Sequence, residues 1–149
     1  MIAWRVTRRR HAPFDGAGAA LIGGRWSSSG RPVIYASDAF AGALLEILAH
    51  ALRPRTLPGP HHAVRIDIPD DLVERIEPGQ LPGWHTKGSP EARAFGDAWL
   101  DESRTPVLIV PSVPSRPGGR TVLINPIHRA ARRIAVSRPF DVPWDERLF

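Results

Sequence analysis

The run Val107-Leu108-Ile109-Val110 constrains this chain more than any other stretch. Four consecutive apolar residues leave no polar side for water, so the run reads as a strand covered on both faces and central in a sheet. Pro111-Ser112 closes it. Proline cannot donate to a ladder, so Ser112 falls where the strand gives way to a loop. Val122-Leu123-Ile124 repeats the pattern and ends at Asn125-Pro126. Ala63 to Ile68 alternates with period two and sends Val64, Ile66 and Ile68 inward. Ile2 to Val6 reads as a first strand with Arg5 on the face opposite Trp4 and Val6. Further strands are expected over Pro32–Ser37, over Leu72–Ile76 and around Ile134, Val136 and Phe140, with Trp144 to Phe149 as a docked tail.

Two helices accompany these strands. Ser37 or Asp38 is expected to cap a helix from Ala39 to Leu52, with Phe40, Leu44, Ile47, Leu48 and Ala51 on the core stripe. Ser89-Pro90-Glu91 combines a cap, a first-turn proline and an N-terminal acid. The helix it opens runs to about Ser103 and buries Ala92, Phe95, Ala98 and Trp99. Arg8–Ala19, the proline-rich Pro54–Pro60 and Glu77–Lys87 read as loops, Arg116–Arg120 as a hairpin tip, and Arg129–Arg133 as a helical turn.

Chemistry concentrates around Gly23-Gly24-Arg25-Trp26. The glycines let backbone pass close to another group, the guanidinium suits phosphate or carboxylate, and the indole anchors the turn. Tyr35 lies at a strand end downstream, and Glu46 lies on the next helix, opposite its core stripe. Around Glu46 stand Gly42, Ala43, Ala49 and His50, small or neutral where a solvated face would be charged. That leaves room for a ligand beside one carboxylate, with His50 at the spacing to pair with it.

The chain's 149 residues fit one domain with a real core, and the cysteine count of zero excludes disulfides and thiolate metal sites. No apolar run is long enough for a membrane span, and the start lacks a secretory pattern, so a cytoplasmic protein is expected. The net charge of +5 is almost all arginine, with Lys87 the single lysine. Such a balance suits nucleic acid, a phosphorylated small ligand or an acidic partner. The arginines are scattered, clustering only at Arg8–Arg10 and at Arg129, Arg132 and Arg133. Neither HExxH, histidines paired at ligand spacing, GxxxxGK[ST], GxGxxG nor GxSxG occurs, so no metal is expected and no serine triad is readable from His50, His61, His62 and His128.

Taken in order, these residues resemble the RES domain family, named for Arg, Glu and Ser. The resemblance runs almost end to end: Trp4-Arg5, Gly23-Gly24-Arg25-Trp26, Val33–Ser37, Leu44-Leu45-Glu46, Leu81-Pro82-x-Trp84, Gly96 with Trp99-Leu100, Pro111-Ser112 and Ile124-Asn125-Pro126-x-His128. It implies an α+β fold similar to ADP-ribosyltransferases, with a mixed, mostly antiparallel sheet, flanking helices and an NAD+ cleft, over a single domain of residues 1–149. It implies the toxin of a toxin–antitoxin pair that degrades NAD+ by hydrolysis or phosphorolysis, or else transfers ADP-ribose to a protein target. It implies an antitoxin partner with an Xre-like DNA-binding domain, so that DNA is met only through that partner. The family's functional positions fall on Arg5, Arg25, Tyr35, Glu46 and Ser112. Glu46 would stabilise charge on the ribose, Arg5 and Arg25 would grip the pyrophosphate, and Tyr35 would stack on nicotinamide or bond the ribose. Ser112 would orient the ribose or Glu46. Two positions depart from the pattern: Ser27 and Thr121 stand where asparagine is common.

Overall fold

A computed structural model describes all of residues 1–149 except Leu52, Pro54 and Leu57. Its strands and helices follow one another as β1 (Ile2–Arg8), α1 (Ala17–Ile22), β2 (Ile34–Ser37), α2 (Phe40–Ala49), β3 (His61–Asp67), β4 (Val73–Arg75), α3 (Pro90–Asp101), β5 (Val107–Pro111), β6 (Arg120–Ile124), β7 (Ala135–Val136) and β8 (Phe140–Asp141). The strands form one sheet in the order β4-β5-β6-β2-β1-β3-β7, with β8 also paired to β3. Only β4 and β5 run parallel; every other pair is antiparallel. The fold class is therefore α+β with a mixed, mostly antiparallel sheet, as expected. The apolar β5 run is second from one edge rather than central. It is buried because β4 and β6 flank it and both faces are covered.

The two sheet faces follow from alternation along each strand. One face carries Ala3, Ile34, Ala36, Val64, Ile66, Ile109 and Val122 in a single cluster. On the other, α3 covers Leu108, Val110 and Leu123 with Trp26, Trp84 and Trp99, while α2 covers Trp4, Val6 and Ala63 with Phe40, Ala43, Leu44 and Ile47. Both long helices thus lie on one face. The join between β1 and β2 is narrow: a single residue pair, Trp4 with Ser37, holds the two strands in register, against seven pairs between β1 and β3.

Local chemistry accounts for several departures from expectation. The stretch read as a loop to Ala19 contains α1, begun where Asp15 Oδ1 accepts from Ala17 N at 3.2 Å and ended at Gly23 with φ of 73°. Neither Ser37 nor Asp38 caps α2. Ala39 takes that position, while Asp38 Oδ1 accepts from Arg120 N at 3.0 Å and so ties the strand end to β6. The helix closes at Ala49, and Ala51 is exposed rather than on the core stripe. The expected end at Leu52, and Pro54 and Leu57 of the proline-rich connection, lie outside the described residues. The start of α3 is as read: Ser89 Oγ accepts from Ala92 N at 3.1 Å. Its buried face holds Ala92, Gly96, Trp99 and Leu100, with Phe95 and Ala98 only half-buried.

Candidate active site

Glu46 projects from α2 with 38% of its side chain exposed. Burial raises its pKa above the ordinary carboxylate value. His50, Arg25 and the Ser112 hydroxyl pull it back down, the first two by charge and the last by hydrogen bonding. His50 Nε2 lies 3.7 Å from Glu46 Oε2, on the exposed side. The carboxylate thus feels a guanidinium from one element and a buried hydroxyl from another. The room beside it does not come from the small residues of α2. Gly42 is buried with its Cα against the Ser37 hydroxyl, and Ala43 packs in the core.

Arg25 rides on a closed turn. Gly24 N donates to Ser27 O at 2.8 Å, and Ser27 N returns a bond to Gly24 O at 3.4 Å. One guanidinium nitrogen, Nη1, donates to the carbonyls of Trp84 at 3.1 Å and Thr86 at 2.6 Å. Trp26 is buried and stacks on Trp84, ring centroids 6.4 Å apart. Tyr35 closes the turn from below: its hydroxyl accepts from Trp26 N at 3.1 Å and bonds Ser27 Oγ at 2.9 Å. A side chain on Gly24 would overlap that hydroxyl, so the glycine is needed for the close approach. Burial raises the Tyr35 pKa, and the phenol stays neutral.

Ser112 is buried one residue past β5 and continues the Leu108, Val110 side of that strand. Tyr35, Glu46, Ser112 and the Arg25 turn therefore share the sheet face that carries both long helices. Arg5 does not. By alternation it shares the side of Ala3 and Ala36, where its Nη1 donates to Tyr35 O at 2.9 Å and its Nη2 to Asp15 O at 3.4 Å. It bridges the strands where the β1–β2 ladder has lapsed. Burial lowers its pKa, and Nε is buried without a partner among the described residues. Its hydrogen-bond partners are neutral carbonyls, so the guanidinium keeps its charge.

Two of the residues singled out in the sequence make local hydrogen bonds. His128 caps the turn Arg129–Arg133, its Nδ1 accepting from Ala130 N at 3.0 Å. Ser27 bonds the Tyr35 hydroxyl through Oγ. Sequence reasoning missed Asp97, whose carboxylate holds Ser28, and the Trp84 and Thr86 carbonyls; only Gly96 and Trp84 had surfaced, as parts of a motif. No metal-binding group of histidines and acids occurs among the described residues, and no helix there is long and apolar enough to cross a membrane.

Comparison with known proteins meets this geometry. The RES domain family matches residues 2–145. A protein of Pseudomonas putida named Toxin Res is 35% identical, with 100% of each chain covered. The Prs ADP-ribosylating toxin of Sphingobium sp. is 36% identical over 97% of this chain and 94% of its own. In the crystal structure of the M. tuberculosis MbcT–MbcA toxin–antitoxin complex, a chain superposes with a TM-score of 0.76, covering 95% of this chain and 83% of that one at 18% identity, which shows a shared fold. With the match covering nearly the whole chain, this protein belongs to the RES domain family.

Proposed function

We propose that this chain is the NAD+-consuming toxin of a toxin–antitoxin pair, acting in the cytoplasm. One observation carries the reading: a half-buried glutamate, the arginine turn and a buried serine all lie on one sheet face. The family match and the toxin names of its relatives support it.

Cleavage breaks the bond between ribose C1′ and the nicotinamide nitrogen. Nicotinamide leaves with the electron pair, positive charge builds on the ribose, and an oxygen of water or phosphate closes on C1′. The Glu46 carboxylate stabilises that charge from a fixed position. Ser112 orients the carboxylate. Arg25 offers Nε and Nη2, which its carbonyl contacts leave free, to the pyrophosphate. Arg5 supports the site from the other side of the sheet, its Nη1 holding the Tyr35 carbonyl across the β1–β2 split. Tyr35, with its hydroxyl engaged by the turn, contributes its ring to the nicotinamide side.

The partner in this reading is an antitoxin with an Xre-like DNA-binding domain that covers the cleft. Purified protein incubated with NAD+, with and without phosphate, should release nicotinamide together with ADP-ribose or its phosphate. No nicotinamide release in either condition overturns the reading. A second reading, transfer of ADP-ribose to a protein, is favoured by the name of the Sphingobium relative. Labelled NAD+ in a cell lysate separates the two: label on a discrete protein band, with little free ADP-ribose, favours transfer.

A further inference from the structure

Arg25 is held from two sides, and both holds belong to the stretch 84–101. The carbonyls of Trp84 and Thr86 take its guanidinium. The turn beneath it rests on α3. There Gly96 presents bare backbone to the Trp26 carbonyl, which a Cβ would overlap. The next residue, Asp97, accepts two hydrogen bonds from Ser28, from N at 2.8 Å and from Oγ at 2.6 Å. Its side chain is 19% exposed, and among the described residues its one ion pair is with Arg31 at 3.7 Å. Gly24 and Ser27 close the turn on each other, so a bond at Ser28 constrains the backbone that carries Arg25.

We infer that Asp97 is a positioning residue for Arg25, its carboxylate pinning the Gly24–Ser28 backbone to α3 so that the guanidinium is presented to the pyrophosphate of NAD+. This rests on the proposed function. Asp97 touches no reacting atom. An anion near a phosphate site would repel it, but two donors from Ser28 and the charge of Arg31 neutralise this one. The pyrophosphate meets a guanidinium whose backbone is already ordered, which lowers the entropy lost on binding.

The test measures NAD+ affinity by calorimetry in a Glu46→Gln background, where turnover is removed. Arg25→Ala and Asp97→Ala should each weaken binding about tenfold, in the range of a charge-assisted hydrogen bond. The two together should be no weaker than Arg25→Ala alone, because Asp97 acts through Arg25. Asp97→Asn keeps an acceptor for Ser28 N and should restore most of the affinity. Asp101→Asn breaks only the exposed pair with Arg31 on the same helix and should leave affinity unchanged. The inference is overturned if Asp97→Ala binds as the parent does, if its loss multiplies fully with that of Arg25→Ala, or if Asp101→Asn costs as much. A second readout needs no NAD+. The heteronuclear NOE of the Arg25 Nε–Hε pair should be high in the free protein and in Asp97→Asn, and low in Asp97→Ala. A high value in Asp97→Ala overturns the inference. A parent that binds no NAD+ strikes the functional reading instead, and the NOE still decides the role of Asp97.

Discussion

Glu46 is the residue on which the chemistry turns, and its environment gives it a pH signature. Burial raises its pKa, so it ionises at a higher pH than a free glutamate. Turnover should fall on acidification at a pH above that of a free glutamate, as a pH–rate profile will show. Stability runs the other way. A carboxyl whose folded pKa is raised contributes stability that is present below the unfolded pKa and lost as pH rises through the folded value. Urea unfolding at acid and neutral pH should therefore show Glu46→Gln gaining on the parent as pH rises. The same variant should lose about a hundredfold or more in NAD+ turnover, in line with removal of a single transition-state stabiliser. A folded, fully active Glu46→Gln would remove the carboxylate from the mechanism. Arg25→Ala should raise the Kd for NAD+ about tenfold; unchanged affinity with lower kcat would place Arg25 at the transition state instead.

The helix α3 shows how an element distant from the chemistry governs it. Its start was readable because capping is local: Ser89 bonds Ala92 three residues on. Its role was not, because Asp97 meets Ser28 across 69 residues and nothing within a helical window announces the contact. Gly96 marks where the helix backbone touches the Arg25 turn. Gly96→Ala gains helix propensity but must push a carbonyl aside, and carbonyls of a closed turn do not rotate away. We expect a net loss of about 1–3 kcal/mol in urea unfolding, the usual cost of overpacking. A more stable Gly96→Ala would mean that the turn is free to retreat from α3.

Across the molecule, the positive charge is less available than composition suggests. Arg31, Arg65, Arg104, Arg120, Arg133 and Arg147 each bond an acidic side chain, as does Arg9 with Asp141. These pairs are dispersed over the surface, and the clusters at Arg8–Arg10 and Arg129–Arg133 each give one arginine to such a pair. The isolated chain should accordingly show no salt-dependent DNA affinity near physiological ionic strength; a steep salt slope at micromolar protein would restore the nucleic-acid reading. The antitoxin should instead block NAD+ turnover when mixed with the toxin, with an acidic group lodged against Arg25. A complex structure with the cleft open to solvent would argue against blockade.

The sequence by itself determined what local rules control. Apolar runs made β5 and β6, alternation made β3 and set Arg5 against Trp4, and Ser89-Pro90-Glu91 started α3. The quoted motifs were enough to place the chain in its family. Tertiary structure decided the rest. Gly42 and Ala43, read as leaving room around Glu46, pack instead against Ser37 and the core, because helix rotation is set by the sheet beneath. Arg5 and Arg25, read as one fork, stand on opposite sides of the sheet, each anchored to carbonyls from elsewhere in the chain. Those placements depend on contacts between residues tens of positions apart, and periodicity along a strand or helix carries no information about which distant backbone it will meet.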